Sequence, residues 1–411
     1  MKTAVTVLFA LVVWIGCGDD GTVTLPANES VDDASEPEAD DSSSSTDNEP
    51  DTEPPGDDGD ENDAGDEDSE DGSGSGDGDP QDGDGSDDEE PGGEISVACL
   101  EPGQSGRCLV EDFPDRPFDV WVPDYDEDAQ LAVVLAFHGG SGNSEAAARG
   151  TCPDGLLSDP ECLHVVGLAE GFVTVYPNGT LSSPNSNSRI WNAGGGENGF
   201  SCVGFCDETI DEAGYISAIL DDLARWLPID PARVYAAGLS NGGAMAHRMG
   251  CELADRIAAI APIGAGNQFA TSAECTPSEP VAVLHVHGTQ DLCWLYEGGP
   301  IDCFSRSDRP LPPSQGQGVV SVEASMDGWA ERNGCDAEPV TEDGPERVED
   351  SIRVERDRWT GCEADVQHLR VIGGGHTWLG GLQYSDVATI GPRYPDVSNR
   401  DLWTFFRGVR R

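Results

Sequence analysis

Seven apolar runs punctuate residues 118–372. They are Phe118–Pro123 (FDVWVP), Leu131–Phe137 (LAVVLAF), Phe172–Tyr176 (FVTVY), Val234–Gly238 (VYAAG), Ile257–Ile263 (IAAIAPI), Val281–His287 (VAVLHVH) and Val366–Ile372 (VQHLRVI). Their near-continuous apolar character, with little strict alternation, is the pattern of strands covered on both faces of a parallel sheet. Helices are predicted over Ile210–Trp226, Gly242–Leu253, Val319–Asn333 and Ser398–Arg407. Strand and helix alternate, so the predicted class is α/β: a doubly wound, mostly parallel sheet with helices on both faces. No internal repeat is visible. The long Leu181–Cys206 segment is rich in Asn, Ser and Gly, and a loop of that length in a compact domain usually carries binding surface.

The N-terminal part breaks this pattern twice. Residues 1–17, MKTAVTVLFALVVWIGC, place one Lys before an apolar run too short to span a bilayer as a mature helix, which is the layout of a signal peptide. Ending in Ile15-Gly16-Cys17, it resembles a bacterial lipoprotein signal, in which Cys17 becomes the lipid-modified first residue. It departs from that pattern at Trp14, where such signals usually carry Leu. Residues 18–94 then hold 32 Asp or Glu and no Lys or Arg. So acidic and apolar-poor a tract cannot offset the entropy of ordering, and like charges extend it, so it is expected to be a disordered tether. Its GDGDPQDGDGSDDEE stretch fits no EF-hand loop, because Gly never falls at the sixth position after a correct start.

Residues 95–411 are expected to form one domain. The whole chain carries a net charge of −57, and outside the tract 47 acids still face 21 Arg. That balance argues against nucleic acid as a partner, since phosphate binding needs a basic footprint. Membrane contact is expected only through the lipid on Cys17, and a monomer is expected. The chain has 13 Cys; setting Cys17 aside leaves an even number, in a protein whose signal implies an oxidising compartment. Pairing by proximity gives Cys99–Cys108, Cys152–Cys162, Cys202–Cys206, Cys251–Cys275, Cys293–Cys303 and Cys335–Cys362, a scheme that spacing alone cannot fix. No C-x-x-C occurs, and no metal site or cofactor is expected.

The chemistry centres on AAGLSNGGAMAHRM, residues 236–249. In a chain with 52 Gly a G-x-S-x-G is weak by itself, so its surroundings decide. VYAAG supplies a strand, Leu239-Ser240-Asn241 a tight turn, and GGAMAHRMGCEL a helix, which is the context of a nucleophile held on a strained elbow. Gly238 and Gly242 allow the corner, and the Asn241 N–H opens the helix where a developing oxyanion can be held. HGGSGN, starting at His138, directly follows LAVVLAF and offers Gly140 as second oxyanion donor, with His138 orienting the turn. Asp291 follows VAVLHVH, and His376 follows three glycines just past the last predicted strand. Ser240, Asp291 and His376 therefore occur in the order nucleophile, acid, base, with Asp291 set to hold the imidazole tautomer. The other histidines read as satisfied core or surface residues.

With these segments in view, residues 118–380 resemble the secreted esterase family that includes LpqC-type polyhydroxybutyrate depolymerases, feruloyl esterases and acetylxylan esterases. The resemblance rests on LAVVLAFHGGSGN, GFVTVYPNGT, IWNAGGG, the stretch DEAGYISAIL through AHRMGCE, VLHVHGTQD, the W-x3-NGC at Trp329 to Cys335, and GGGHTW. It implies an α/β-hydrolase fold and acyl transfer by Ser240, Asp291 and His376, with an oxyanion hole at Gly140 and Asn241. The implied substrate is an ester, expected to be polymer-linked. Leu379 stands where Pro commonly follows HTW, and QDLCWLYEGGPIDC replaces a short Asp-Pro turn. Trp191, Asn192 and Trp378 are candidates to line the cleft, and a Cys293–Cys303 bridge would pin the loop of Asp291. A serine peptidase of the same fold and a non-catalytic carbohydrate-binding lipoprotein are the alternatives.

Overall fold

The computed structural model describes residues 97, 100–182, 187–194, 209–299, 318–346 and 352–411. In chain order these form β1 (Ser105–Cys108), β2 (Phe118–Trp121), β3 (Leu131–Phe137), α1 (Ser144–Gly150), α2 (Leu163–Glu170) and β4 (Phe172–Pro177). A small hairpin, β5 (Thr180–Leu181) with β6 (Arg189–Ile190), precedes α3 (Glu212–Trp226), β7 (Ile229–Leu239), α4 (Asn241–Glu252), β8 (Ala259–Ile263) and β9 (Ala282–Gly288). The C-terminal part adds α5 (Val322–Arg332), β10 (Val340–Glu346), β11 (Arg353–Arg358), β12 (Val366–Ile372), α6 (Val387–Ile390) and α7 (Asn399–Phe406).

Ten strands share one sheet in the order β1-β2-β4-β3-β7-β8-β9-β12-β11-β10. The central strands from β4 to β12 are parallel to their neighbours, and the outer pairs on both sides are antiparallel. The expected doubly wound α/β class is what the chain adopts, in the α/β-hydrolase arrangement.

Strand β3 shows why an unbroken apolar run was needed. All seven of its residues are buried. Leu131, Val133, Leu135 and Phe137 enter one core layer, which also takes Ile216 and Ile219 of α3, Met245 of α4 and Trp329 of α5. Ala132, Val134 and Ala136 enter the opposite layer, with Val166 of α2 and Trp403 and Phe406 of α7. Each layer removes apolar surface from water at roughly 25 cal/mol per Å². The pleat turns alternate residues to alternate faces, so a strand roofed by helices above and below has no position to spend on a polar side chain.

Disulfides Cys152–Cys162, Cys251–Cys275 and Cys335–Cys362 form as expected. Cys108 departs from the scheme. It is a buried free thiol at the inner end of β1, where burial and the nearby acids Asp222 and Asp119 push its ionisation far up, and the Cys99–Cys108 bridge is not made. Cys17, residues 18–94, Cys99, Cys202, Cys206, Cys303 and most of the Leu181–Cys206 loop lie outside the described residues.

One buried ion pair ties the first strands to α3. Arg116 donates to Glu212 at 2.5 Å, and both side chains are almost entirely out of water. The guanidinium also donates to the Asn178 carbonyl and lies 3.9 Å from the Tyr215 ring centroid. Removing one partner strands a charge in a dry interior. Arg116→Ala should therefore cost about 3–5 kcal/mol in chemical denaturation, while the double change Arg116→Met with Glu212→Gln should cost clearly less.

Candidate active site

Every element of the site sits where a parallel strand ends at its carboxyl side. Strand β7 runs into Ser240, whose backbone is at φ 59° and ψ −124°, and α4 begins at the next residue. A positive φ is strained for a residue with a Cβ. The corner is held by Ser240 N–H donating to the Ile263 carbonyl at 2.9 Å and by Ala244 N–H donating to the Ser240 carbonyl. Tight packing explains the flanking glycines: a Cβ on Gly238 would lie 2.1 Å from the Gly242 carbonyl oxygen, and one on Gly242 would lie 2.3 Å from that of Phe137.

The turn after β3 packs against this elbow. A Cβ on Gly139 would come within 3.6 Å of the Ser240 Cβ, and one on Gly140 within 3.6 Å of the Asn241 Cβ. Both candidate oxyanion residues, Gly140 and Asn241, thus lie beside the serine. His138 holds the turn from beneath. Its Nδ1 lies 2.7 Å from the Gly139 carbonyl and its Nε2 accepts from Gly179 N–H at 2.9 Å. Since the carbonyl can only accept, the proton is on Nδ1. Burial lowers the His138 pKa to about 3, so the ring is neutral and serves as a brace.

The candidate acid and base, Asp291 and His376, arrive on two loops that are sewn together. Thr289 N–H donates to the Val371 carbonyl, Gln290 N–H to that of Gly374, and Gly373 N–H to the Thr289 hydroxyl. This brings His376 Nδ1 to 2.6 Å from Asp291 Oδ2, with both groups buried. The other carboxylate oxygen accepts the N–H groups of Cys293 at 2.8 Å and Trp294 at 2.7 Å. Burial alone raises the Asp291 pKa. The charge of a protonated His376, with hydrogen bonds from His287 and His376, outweighs it and brings the value to about 2. Cys293 is itself disulfide-bonded, so the acid's loop is pinned two residues past Asp291.

Gly264 joins the two halves. It follows Ile263, whose carbonyl caps Ser240 N–H, and it has φ +56°. A Cβ there would lie 3.0 Å from His376 Nδ1 and 3.3 Å from Asp291 Oδ2. The imidazole–carboxylate pair therefore rests on the residue next to the serine's own anchor. Ser240 Oγ and His376 are not hydrogen-bonded to each other in this structure.

Two expected cleft residues need correction. Trp191 is fully buried: its indole N–H donates to the His138 carbonyl, and its backbone exchanges two hydrogen bonds with the Asn241 side chain, at 2.8 and 3.0 Å. Trp378 is likewise in the core, donating to Asn399 Oδ1 at 2.7 Å. Neither ring offers a face for stacking; both brace the loops that carry the site. Asn192 is half-buried, its N–H on Glu212 Oε1 and its carbonyl accepting from Arg248. Sequence reasoning missed the Asn241 side chain as a tie and missed His287, whose Nε2 lies 3.3 Å from Asp291 Oδ2. The only trace of the latter was the H-x-H-G-x-x-D spacing that ends at Asp291.

No protein-family model matches the chain. Among curated proteins it is 33% identical over 139 residues to feruloyl esterase B of Piromyces equi, covering 33% of this chain and 24% of that one. It is 25% identical over 288 residues to NocK, a protein of Nocardia uniformis subsp. tsuyamanensis that carries the name esterase, covering 68% and 74%. It is also 31% identical over 129 residues to a bifunctional acetylxylan esterase/xylanase of Neocallimastix patriciarum, covering 31% and 16%. The matched part thus spans about a quarter of the length of the Piromyces protein.

Crowding at the elbow is directly testable. Gly238→Ala should destabilise the fold by more than about 2 kcal/mol through backbone overlap and abolish labelling of Ser240 by a fluorophosphonate. Gly150→Ala, where an added Cβ meets nothing within 4 Å, should leave both unchanged.

Proposed function

We propose that the chain is an exported serine carboxylic-ester hydrolase acting through an acyl-enzyme, with Ser240 as nucleophile, His376 as base and Asp291 as the acid that orients it. The observation that carries this reading is the 2.6 Å His376–Asp291 pair resting on Gly264, one residue from the anchor of a strained serine elbow. His376 takes the hydroxyl proton as Ser240 Oγ attacks the ester carbonyl. The N–H groups of Gly140 and Asn241, at the start of α4, stabilise the oxyanion, and the protonated imidazole delivers its proton to the leaving alcohol. Water then repeats the sequence in reverse roles to release the acid.

The substrates that fit best are esters on polysaccharides, feruloyl or acetyl, with polyhydroxyalkanoate polyesters as the other candidate class. Similarity to proteins named feruloyl esterase and acetylxylan esterase supports the first. Bridges Cys152–Cys162, Cys251–Cys275 and Cys335–Cys362 support an oxidising compartment. Export through residues 1–17, with a lipid on Cys17 and the acidic tract as spacer, completes the reading.

Ser240→Ala should lower kcat for a p-nitrophenyl acyl ester by a factor on the order of 10⁶ with unchanged thermal stability. Retained turnover would refute the nucleophile, and faster hydrolysis of an anilide than of the matched ester would favour a peptidase. The pH profile follows from the site's charges. Asp291, held at about 2, stays ionised through the working range, so the acidic limb belongs to His376, whose protonated ring cannot act as base. kcat/KM should fall about tenfold per pH unit below that titration, with a one-proton slope; a flat profile from mildly acidic to neutral pH would contradict it.

A further inference from the structure

Behind the acid lies a set of buried histidines that the proposed reaction leaves unused. Strand register places them in two rows on one face of the sheet. Asp357 of β11, His368 of β12 and His285 of β9 face one another in one row; Glu355, Arg370 and His287 do so in the next. His247 of α4 stacks on His285 with ring centroids 5.6 Å apart, and Tyr296 lies over both His287 and His368. All four histidines are buried.

Their hydrogen bonds fix their protons. His287 Nε2 is 2.8 Å from the Trp294 carbonyl, which can only accept, so Nε2 carries a hydrogen. The same nitrogen is 3.3 Å from Asp291 Oδ2, the oxygen that also takes His376. His285 Nε2 lies 3.2 Å from His287 Nδ1, and because His285 Nδ1 is buried without a partner among the described residues, the His285 hydrogen belongs on Nε2 and His287 Nδ1 accepts it. In the same way His247 donates from Nε2 to the Ala265 carbonyl and accepts from the Trp329 indole at Nδ1. Burial, then the neighbouring His368, His287 and His247, lowers the His285 pKa well below its ordinary value, so the His285 ring stays neutral.

We infer that His287 is a positioning residue for the acid, an imidazole that shares its one Nε2 hydrogen between the Trp294 carbonyl and Asp291 Oδ2 and so sets how strongly the carboxylate holds the His376 ring. The inference rests on the hydrolase reading above. A carboxylate that shares its charge with a second donor stabilises imidazolium less. Removing that donor makes Oδ2 more basic and raises the pH at which His376 protonates. The groups facing His287 that also bear on this titration are His285 on its own strand, Asp291, Tyr296 and His376 on the loops, His368 and Arg370 on β12, and His247 on α4.

The test uses His287→Leu and His287→Gln in the full chain. Both lose the acceptor for His285 and should melt earlier, but glutamine keeps an N–H near the position of Nε2. His287→Leu should move the acidic limb of kcat/KM for p-nitrophenyl acetate up by about one pH unit, with the glutamine variant restoring it. A limb unmoved in a folded leucine variant would overturn the inference. The wild-type protein supplies a second arm that needs neither variant to fold nor any turnover: imidazole ¹⁵N chemical shifts. These should show His287 protonated on Nε2 only, and an Nδ1–H tautomer would equally overturn it. If wild-type and Ser240→Ala protein hydrolyse the ester alike, the hydrolase reading fails while the ¹⁵N result still decides the hydrogen bond.

Discussion

A charge held out of water constrains the centre of this molecule. The Asp291 carboxylate is buried, and burial by itself would neutralise it. It stays ionised because polar groups surround it: two backbone N–H groups on one oxygen, and on the other the His376 imidazole at 2.6 Å with His287 Nε2 3.3 Å away. Each donor imposes a geometric demand. The backbone pair requires the Asp291–Trp294 turn, His376 requires a loop that folds back from β12, and His287 requires a strand, β9, that ends three residues before Asp291. The adjoining strands β9 and β12, their loops and Gly264 form the scaffold that these three demands permit.

The serine side obeys a different constraint, proximity of main chain to main chain. Gly238 and Gly242 cross with no room for a Cβ, and Gly139 and Gly140 lie against Ser240 and Asn241. Polar side chains lock this assembly from behind. Asn241 clasps the Trp191 backbone, the Trp191 indole caps His138, and Glu212 carries both Asn192 N–H and Arg116. A buried ionic pair is weak as a source of stability, since desolvating both charges offsets most of the attraction. Its value here is registration: it fixes the start of α3 against the loop that braces the elbow.

The sequence was most legible where one physical rule acts alone. Each of the seven apolar runs falls on a strand of the sheet, because double-sided burial leaves no other composition open to those segments. The serine elbow was readable because only glycine fits its crossings. Strands β10 and β11 were missed since VTEDGPE and RVERDR are rich in charged residues and lack the unbroken apolar signature of the strands buried on both faces. Helix α1, SEAAARG, is short, and its N-cap, Asn143 accepting from Ala146 N–H, gives it little apolar periodicity to find. Trp191 and Trp378 were misassigned because a sequence records that an aromatic is near a site and not which way its ring turns. His287 looked like core for the opposite reason: it is core, and its connection to Asp291 exists only once the chain doubles back.

The charged rim at β10 has a consequence for the sheet as a whole. An open sheet exposes unpaired amide and carbonyl groups along its last strand, an invitation to a neighbouring chain. Here that border carries exposed Glu342 and Asp343, with Arg356 and Arg358 exposed on the strand beside it. A second copy docking strand to strand in antiparallel fashion would have to set its own acids against these. The rim thus works as an electrostatic fence that salt would lower, and it guards the flank of the sheet next to the buried histidines.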